Sequence, residues 1–286
     1  MKTVLTIAGF DPSSGAGVTA DLMVFSAHGL FGTSCITALT VQSTIGVRSA
    51  YPVSDVIVAE TLQCLDADIR PVGIKIGMVG SKSNICRICD YLQILKVKHS
   101  HGEGGSDIPI VLDPVLRSSS GRELLDPEGM NVLRERLFPL VDWITPNLDE
   151  LPALLGRHAI DQDEIPEACR ALQATVAGTE GEIRRLGIIA TGGHLNPPND
   201  FLLMPTGEGV LLAGEYVSTS STHGTGCAFS SAFLSSLVLG DAPVEAARKA
   251  KAYVSGALRN AVPLGRGNGP INHLWKIAQP EDQVKS

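Results

Sequence analysis

The chain has 286 residues, of which 44% are apolar and 19% charged, and its formal net charge is −7. A mean hydropathy of +0.16 and a pI near 5.5 describe a globular protein, and this acidic balance argues against binding to nucleic acid or to an anionic membrane. The apolar N-terminus is too short for a signal peptide, and no run approaches the ~18 apolar residues that span a bilayer. We therefore expect a cytoplasmic protein without membrane segments.

Apolar β-branched runs alternate with segments of helical spacing along most of the chain. From the N-terminus, the predicted order is strand Thr3–Ala8, helix Val18–His28, strand Ser34–Thr40, flap Gln42–Tyr51, helix Val56–Leu65, strand Gly73–Gly77, helix Ser83–Leu92 and strand Ile110–Leu112. The order continues with helix Glu128–Leu137, strand Trp143–Thr145, a helix opened by 146–150, helix Glu164–Val176, strand Leu186–Ala190, hairpin strands Phe201–Met204 and Val210–Leu212, and helices Thr225–Leu239 and Val244–Ala261.

This alternation predicts an α/β fold with a mostly parallel central sheet, helices on both faces and a small flap. The chain shows neither an internal repeat nor a linker, so we expect one domain over residues 1–286. The six scattered cysteines suit reduced thiols in a cytosolic enzyme. Cys86-x-x-Cys89 has no second ligand pair nearby, so a zinc or redox role is not favoured.

Three further local patterns carry expectations. Ser54 is the predicted N-cap of the Val56–Leu65 helix. The segment His99–Asp107 contains two histidines and two acids, but its glycine-rich backbone favours a solvated loop over a metal site. The tail after Lys276 is expected to fray.

Polar or glycine residues follow most of the predicted strands. They are Gly9 and Asp11, Gly77 and Met78, Asp113, Asn147, and Gly192 and Gly193. The carboxyl ends of parallel strands meet at one edge of a sheet, so these residues should converge on a ligand site. Asp21, on the first turns of the Val18–His28 helix, either is solvated or contacts a polar ligand.

Asp113, Asn147 and Glu150 carry oxygen and amide groups that suit Mg²⁺ bound through waters. Local structure offers an equally good explanation for two of them. Asn147 can cap a helix while Glu150, three residues later, returns a hydrogen bond as in a capping box. The sequence leaves both explanations open.

The stretch Thr222-His223-Gly224-Thr225-Gly226-Cys227-Ala228 precedes a long apolar helix. Its glycines leave the backbone free to turn, the Thr225 hydroxyl is placed to cap the helix, and the first helical turn offers unpaired N–H groups to an anion. Cys227 at this position could act as a base, with its pKa lowered by the helix N-terminus. The alternative is a capped helix with a buried cysteine.

The chain lacks a G-x-x-x-x-G-K-[ST] motif and a kinase glycine loop. A phosphoryl-transfer site would therefore combine the Gly224–Gly226 anion hole with other groups. Thr191, Gly192 and Gly193 either present a hydroxyl and amides to nucleotide phosphates or simply lead the chain out of a strand.

Several motifs occur in one order from Thr6 to His273. They are T-I-A-G-F-D-P-S-S-G-A-G-V-T-A-D-L at Thr6–Leu22, I-T-A-L-T-V-Q at Ile36–Gln42, K-I-G-M-V-G at Lys75–Gly80, V-L-D-P-V-L at Val111–Leu116, I-T-P-N-L-D-E at Ile144–Glu150, G-G-H-L at Gly192–Leu195, T-H-G-T-G-C-A at Thr222–Ala228 and G-N-G-P-I-N-H at Gly267–His273. Together they resemble the hydroxymethylpyrimidine/phosphomethylpyrimidine kinases of thiamine biosynthesis, which belong to the ribokinase-like superfamily.

The resemblance implies phosphorylation of a 5-hydroxymethyl pyrimidine and then of its monophosphate, with ATP and Mg²⁺, by a homodimer. By matching positions it implies pyrimidine contacts at Gly9, Asp21, Gln42, Met78 and Val115, with Cys227 near the hydroxymethyl group. It also implies that Asn147 and Glu150 act on Mg²⁺ and phosphate, and it places Thr191 and Gly193 at the nucleotide.

Two positions depart from the family pattern. Thr191 replaces the lysine of K-G-G-H. Where the family reads D-P-V-M-x-x-K-S-G, Leu116 is followed by Arg117-Ser118-Ser119-Ser120-Gly121, so a serine replaces that lysine, while Arg117 either compensates or is solvated. Most superfamily members carry Asp where this chain has Cys227, whereas the pyrimidine kinases and some pyridoxal kinases have Cys. The alternatives are a pyridoxal kinase of the same fold, a vitamin- or nucleotide-binding protein without turnover, and a thiol hydrolase, for which His223 lacks an evident orienting acid.

Overall fold

In a computed structural model of the chain, the structure describes residues 1–100, 108–118, 121–176, 186–193 and 195–277, without the side chains of 98–100. The strands in these ranges are β1 (Thr3–Phe10), β2 (Phe31–Ser43), β3 (Gly46–Pro52), β4 (Ile74–Ile76), β5 (Ile110–Leu112), β6 (Trp143–Ile144), β7 (Gly187–Ala190), β8 (Asp200–Leu203) and β9 (Gly209–Leu212). The helices are α1 (Gly17–Ala27), α2 (Asp55–Asp68), α3 (Lys82–Ser100), α4 (Pro127–Val132), α5 (Glu150–Leu154), α6 (Ile165–Thr175), α7 (Thr225–Leu239) and α8 (Pro243–Arg259).

The strands form one sheet in the order β3-β2-β1-β4-β5-β6-β7-β8-β9. Six neighbouring strands of the sheet, β2, β1, β4, β5, β6 and β7, run parallel to one another. At one edge β3 pairs antiparallel with β2, and at the other edge β8 and β9 form an antiparallel hairpin beside β7. This arrangement confirms the predicted α/β fold, the mostly parallel sheet and the flap.

Helices cover both faces of the sheet because the buried strands present apolar side chains to each side. In β1, Val4 packs with helices α1, α7 and α8, whereas Leu5 and Ile7 pack with helices α2, α3, α5 and α6. This alternation has the period of two residues that a β-strand imposes. Since α7 lies against the sheet, its N-terminus comes to the edge where the parallel strands end.

Of four local expectations, two differ from the structure, one is confirmed in position only, and one lies outside the described residues. Thr225 is the first residue of α7, and the N-cap is Gly224, whose φ of +89° is left-handed and whose cap has no side-chain hydrogen bond. Ser54 occupies the N-cap of α2 but likewise makes no side-chain cap hydrogen bond. Helix α3 continues to Ser100, so the predicted loop His99–Asp107 begins within a helix, and the rest of that loop lies outside the described residues. The tail from 278 onward also lies outside them.

Within the described ranges, no helix combines the length and the apolar character that crossing a membrane requires.

Candidate active site

Five parallel strands bring most of the predicted residues to one edge of the sheet. Along the strand order β1, β4, β5, β6, β7, the residues at or beyond the carboxyl ends are Gly9 and Asp11, Met78, Asp113, Asn147 and Thr191. Asn147 and Thr191 form an isolated parallel bridge beyond β6 and β7. Helix α7 begins above this row, since Ser230 Oγ donates to Asp113 Oδ2 at 3.2 Å. The convergence expected from parallel topology is therefore present.

The glycine-rich loop after β1 is tied to the segment before α7 by Asp11. The side chain of Asp11 is 3% exposed, and its Oδ2 accepts hydrogen bonds from His223 Nε2 at 2.7 Å and from the Ala16 amide at 3.0 Å. Its Oδ1 accepts from the amide and the hydroxyl of Ser13. Burial raises the pKa of Asp11, but the hydrogen bonds from His223 and Ser13 outweigh burial and hold the pKa below its usual value.

His223 therefore has an acid partner that the sequence did not reveal. The two residues are 212 positions apart, so local pattern cannot pair them. The expectation that no acid orients His223 is therefore wrong. The nitrogen of the ring that lies against Asp11 is Nε2. The hydrolase alternative is weakened instead by the state of Cys227 described below.

Two glycines permit this close approach of loops. A Cβ atom at Gly224 would lie 1.8 Å from the Gly15 carbonyl oxygen, and one at Gly15 would lie 2.1 Å from the His223 ring. His273 Nε2 donates to the same Gly15 carbonyl at 2.9 Å. The buried His273 thus anchors the C-terminal segment onto the glycine-rich loop.

A pocket of about 160 Å³ opens beside His223, between the turn of the β2–β3 hairpin and a glycine loop near the C-terminus. Its lining comprises Gln42, Ser43, Thr44, Ile45, Gly46, Val47, His223, Gly267 and Asn268. Gln42 Nε2 lies 3.1 Å from His223 Nε2. Of the predicted pyrimidine contacts, Gln42 faces this pocket directly.

Gly9 and Met78 form a second part of the same neighbourhood. A Cβ atom at Gly9 would lie 2.9 Å from Met78 Sδ, so the glycine leaves room for the methionine. Val115 is half-buried two residues beyond Asp113, whose carbonyl accepts from the Val115 amide at 2.8 Å. The structure brings Gly9 and Met78 together, and it places Val115 at the adjacent strand end.

Asp21 lies in the interior of the protein, whereas its predicted contact with the pyrimidine requires an exposed side chain. Its side chain is completely buried, and both oxygens accept from Lys75 Nζ, at 3.0 and 2.9 Å. Ser231 Oγ donates to Oδ1 at 2.8 Å and Thr6 Oγ1 to Oδ2 at 2.6 Å. We correct the expected direct pyrimidine contact, because the carboxylate is fully occupied by internal donors.

Cys227, in the first turn of α7, is half-buried, and the start of α1 at Gly17 lies near its thiol. Burial raises the pKa of the thiol to about 12; Lys75 opposes this rise, while Asp21 and Asp113 add to it. The expectation that the helix N-terminus lowers this pKa is therefore wrong. The resting thiol is protonated at neutral pH, which also disfavours Cys227 as the activated nucleophile of a hydrolase.

Asn147 and Glu150 form the capping box that the sequence left as one of two explanations. Asn147 Oδ1 accepts from the amides of Asp149 and Glu150, both at 2.9 Å, and Glu150 Oε2 accepts from the Asn147 amide at 3.0 Å. This reciprocal bonding opens α5 and fixes the Glu150 carboxyl. It leaves a metal role open, because the capping box itself engages Oε2 and not the second oxygen of the Glu150 carboxyl.

The carboxyl groups of Glu150 and Asp113 are buried close enough to influence each other. Burial and then the Asp113 charge raise the pKa of Glu150 to about 8. Burial also raises the pKa of Asp113, against the opposing effects of Lys75 and Ser230. Two neighbouring acids with raised pKa values form a place where an added cation is favourable.

This acid pair fits a magnesium ion that is also held by waters and phosphate oxygens. No group of three His, Cys, Asp or Glu residues suited to a metal occurs among the described residues. Mg²⁺ in phosphoryl-transfer sites uses one or two carboxylates together with substrate phosphates and water. Asp113 and Glu150 supply that number.

The predicted nucleotide loop after β7 keeps only part of its expected donors. The Thr191 amide donates to the Pro146 carbonyl and the Gly192 amide to Asp200 Oδ1, both at 2.9 Å. Gly193 is exposed, and a Cβ atom there would meet no neighbour within 4 Å. The Thr191 side chain and the exposed Gly193 therefore remain available to a ligand, whereas the amides of Thr191 and Gly192 are used internally. His194 and Ser120 lie outside the described residues.

Sequence reasoning missed the roles of Lys75, His223 and His273 in organising this edge. A signal existed for Lys75, because a lysine in the middle of a short apolar strand, Ile74-Lys75-Ile76, must find a buried partner. The two histidines gave no such signal, since each meets its partner only when distant loops come together.

Comparison with known proteins identifies relatives of this chain. The family model described as phosphomethylpyrimidine kinase matches residues 11–272. The hydroxymethylpyrimidine/phosphomethylpyrimidine kinase of Haemophilus influenzae is 36% identical over 287 aligned positions, which cover 98% of each chain.

Solved structures give the same grouping. A phosphomethylpyrimidine kinase from Clostridium difficile superposes with a TM-score of 0.72 at 33% identity, covering 90% of this chain and 100% of that one. The pyridoxal kinase of Bacillus subtilis, solved as an ADP complex, has a TM-score of 0.80 at 28% identity, covering 96% of this chain and 97% of that one. These neighbours share the ribokinase-like fold, as the sequence motifs implied.

Proposed function

The chain belongs to the phosphomethylpyrimidine kinase family, and on that premise we propose that it transfers a phosphoryl group from ATP to 4-amino-5-hydroxymethyl-2-methylpyrimidine and then to the monophosphate. It is an enzyme, a phosphotransferase of thiamine biosynthesis.

One observation carries the assignment of the site: the N-terminus of α7 lies between a pocket and a buried acid pair. His223, which lines the pocket, directly precedes Gly224. On the other side, a Cβ atom at Gly226 would lie 3.8 Å from Asp113 Oδ2. We assign the pocket to the pyrimidine, the Gly224–Gly226 amides to the transferring phosphoryl group, and Asp113 with Glu150 to the metal.

The remaining roles follow from position along the edge. Gln42 and Met78 contact the pyrimidine ring, with Gly9 and Val115 beside them, and Asn147, Thr191 and Gly193 contact ATP. A Mg²⁺ ion would be held by Asp113 and Glu150, where it would neutralise phosphate charge.

Because the resting Cys227 is a thiol, we assign it a proton relay: its sulfur takes the hydroxyl proton while its own proton passes to a phosphoryl oxygen. The substrate oxygen then bonds to phosphorus as the bond to ADP breaks.

ADP release with MgATP tests the proposal, with hydroxymethylpyrimidine, its monophosphate, pyridoxal and ribose as acceptors. We expect turnover of both pyrimidines. Turnover of the unphosphorylated pyrimidine alone would point to the absence of the two family lysines as the cause of the lost second step. Binding of the pyrimidine without ADP release would instead support a binding protein. Cys227→Ala should lower turnover strongly, and unchanged turnover would remove the relay assignment.

A pyridoxal kinase is the second candidate, because the pyridoxal kinase neighbour superposes with a higher TM-score than the pyrimidine kinase neighbour, 0.80 against 0.72. The higher sequence identity of the pyrimidine kinases, 36% over nearly the full chain for one of them, favours the first candidate. A preference for pyridoxal in the same assay would reverse that order.

We also propose that the enzyme is a cytoplasmic homodimer. The edge strand β3 and its neighbour β2 expose Leu39, Val41 and Tyr51, and Leu39 pairs across the strands with Tyr51. An exposed apolar patch on an edge strand supports pairing with a second copy. Light scattering coupled to gel filtration should give twice the chain mass of 30.1 kDa, and a monomer at micromolar concentration would contradict the proposal.

A further inference from the structure

We infer that Lys75 is a positioning residue for phosphoryl transfer, and that its buried ammonium group controls the proton of Cys227 while Asp21 opposes it. The inference rests on the proposed function for its catalytic meaning but not for its test, which needs no turnover.

The ammonium group of Lys75 lies directly beneath the edge that carries the site. Its side chain is completely buried in β4, and a Cβ atom at Gly77 would lie 2.8 Å from Nζ. Gly77 immediately precedes Met78, so the charge lies under the turn that presents Met78. A side chain larger than glycine at position 77 would displace this group.

Asp21 connects the ammonium group to the helix that bears Cys227. Asp21 on α1 accepts from Lys75 on β4 and from Ser231 on α7. Ser231 is four residues after Cys227, which places the two on the same face of the helix. The cluster therefore fixes the first turns of α7 relative to the ends of β1 and β4.

The charges around the thiol act in opposite directions. Lys75 from β4 favours the thiolate, whereas Asp21 from α1 and Asp113 beyond β5 disfavour it, and the Gly17 amide at the start of α1 favours it. Burial by itself would lower the pKa of Lys75, but Asp21, Cys227 and Asp113 together raise it above its usual value. Lys75 is therefore a fixed cation, which excludes a nucleophilic amine.

Ion-pair geometry alone would assign Lys75 a purely structural role, and the two roles predict different results. Removing either member of a structural pair loosens the same region and changes access to Cys227 in the same direction. If the two charges instead act on the thiol electrostatically, removing the cation lowers the reactivity of the thiol and removing the anion raises it.

The test is the rate of Cys227 alkylation by iodoacetamide in the ligand-free full chain, measured peptide by peptide with mass spectrometry between about pH 7 and 10. The thiolate is the reacting form, and one unit of pKa corresponds to roughly a tenfold change in rate well below the pKa. We expect Lys75→Met to slow alkylation by about tenfold and Asp21→Asn to accelerate it by several-fold, at every pH in this range.

The chain supplies its own controls. Cys64 is exposed and should react at the wild-type rate in both variants, while the buried Cys35, Cys89 and Cys169 should stay unmodified if the fold is intact. Rate changes of the same sign in both variants would overturn the inference. If Lys75→Met fails to fold, Asp21→Asn still decides it, since a slower or unchanged rate there contradicts control by charge. Absence of ADP release in the wild-type chain would instead count against the proposed function.

Discussion

The two sides of the strand-end edge balance their charges in different ways. One side, called the acceptor side after its proposed ligand, comprises Asp11, Asp21, Lys75 and His223, and each of its buried acids has a partner within the chain. The other side, called the nucleotide side after its proposed ligand, comprises Asp113, Asn147, Glu150 and Thr191, and burial raises the pKa values of its two acids. The charges of the acceptor side are paired within the chain, whereas we expect an added cation to stabilise the nucleotide side.

This difference agrees with the proposed binding of two ligands at one edge of the sheet. An uncharged pyrimidine ring needs a rigid pocket, and a network of internal ion pairs and hydrogen bonds keeps loops rigid. MgATP brings its own cation, so acids that form no salt bridge within the described residues are suited to receive it. The comparison predicts that removing a charge destabilises the ligand-free protein on one side and stabilises it on the other.

Lys75→Met should give the largest loss of stability. The change leaves Asp21 buried without its cation, and breaking a buried pair in this way costs about 3–5 kcal/mol. Urea denaturation of the ligand-free chain measures the free energy of unfolding. The matched control is Lys249→Met, which breaks the exposed pair with Asp241 and should cost at most about 1 kcal/mol. Equal losses in the two variants would show that burial of the Lys75 pair has no energetic consequence.

Gly224→Ala should nearly abolish turnover at the junction of the two sides. Its φ of +89° and the 1.8 Å approach to the Gly15 carbonyl leave no room for a methyl group. We expect kcat to fall by about 10²–10³, the range for a lost oxyanion donor.

Gly240→Ala, at the other end of α7, is the control for that prediction. Gly240 also has a left-handed φ, +104°, but a Cβ atom there meets nothing within 4 Å. The control shares the backbone strain and should retain kcat. Loss of activity in both variants would assign the effect to helix stability rather than to the anion site.

Glu150→Gln should lower activity while stabilising the ligand-free protein. With a folded pKa of about 8 against 4.5 in the unfolded chain, the folded state holds the proton more tightly, so stability declines as the pH rises from about 4.5 to about 8. The variant should remove that decline and raise the unfolding midpoint at pH 8 by several degrees. With MgATP, kcat/KM should fall roughly a hundredfold.

Glu167→Gln serves as the control for Glu150, because its side chain is exposed in the first turn of α6. Its unfolding midpoint should follow the wild-type pH dependence. If the unfolding midpoint of the wild-type chain rose between pH 5 and pH 8 without Mg²⁺, the raised pKa of Glu150 on the nucleotide side would be contradicted.

Asp11→Asn should have a smaller effect with the opposite pH dependence. Because the folded pKa of Asp11 lies below the unfolded value of 3.8, its contribution is fully present above that value and is lost as the pH falls through the folded pKa. We expect a loss of about 1–3 kcal/mol at pH 7 that disappears in acid, measured by urea denaturation across pH. Asp55→Asn, in the exposed pair with Arg87, should change stability less, and a pH-independent loss for Asp11 would contradict the pairing with His223.

Thr191→Lys should give the smallest effect, by adding a cation to the nucleotide side. We expect the KM for ATP to fall about threefold, which corresponds to less than about 1 kcal/mol for a half-exposed charge. Thr206→Lys adds the same charge in the β8–β9 turn, which lies at the amino ends of the parallel strands, away from the site. This control should leave the KM for ATP unchanged. Equal effects of both lysines would assign the gain to net charge alone.

Much of the site could be located from the sequence, but its internal chemistry could not. The strand-end positions of Asp113, Asn147 and Thr191 follow from alternating strands and helices, and the capping box at Asn147 and Glu150 is a local pattern of four residues. Asp21 was predicted to contact the ligand because the motif that contains it gives no sign of its pairing with Lys75. The pKa of Cys227 was given the wrong direction because a helix N-terminus is visible in sequence, whereas burial is not.

Patterns within the sequence were enough to establish the order of elements, the α/β class, the glycine loop before α7 and the family. These properties depend on periodicity and short motifs, which act over a few residues. Which charges are paired is known from the folded chain alone, since Asp21 meets Lys75 across 54 residues and Asp11 meets His223 across 212. Pairing and burial depend on contacts between distant segments, and they determine which acids are compensated within the chain and which are left for a ligand.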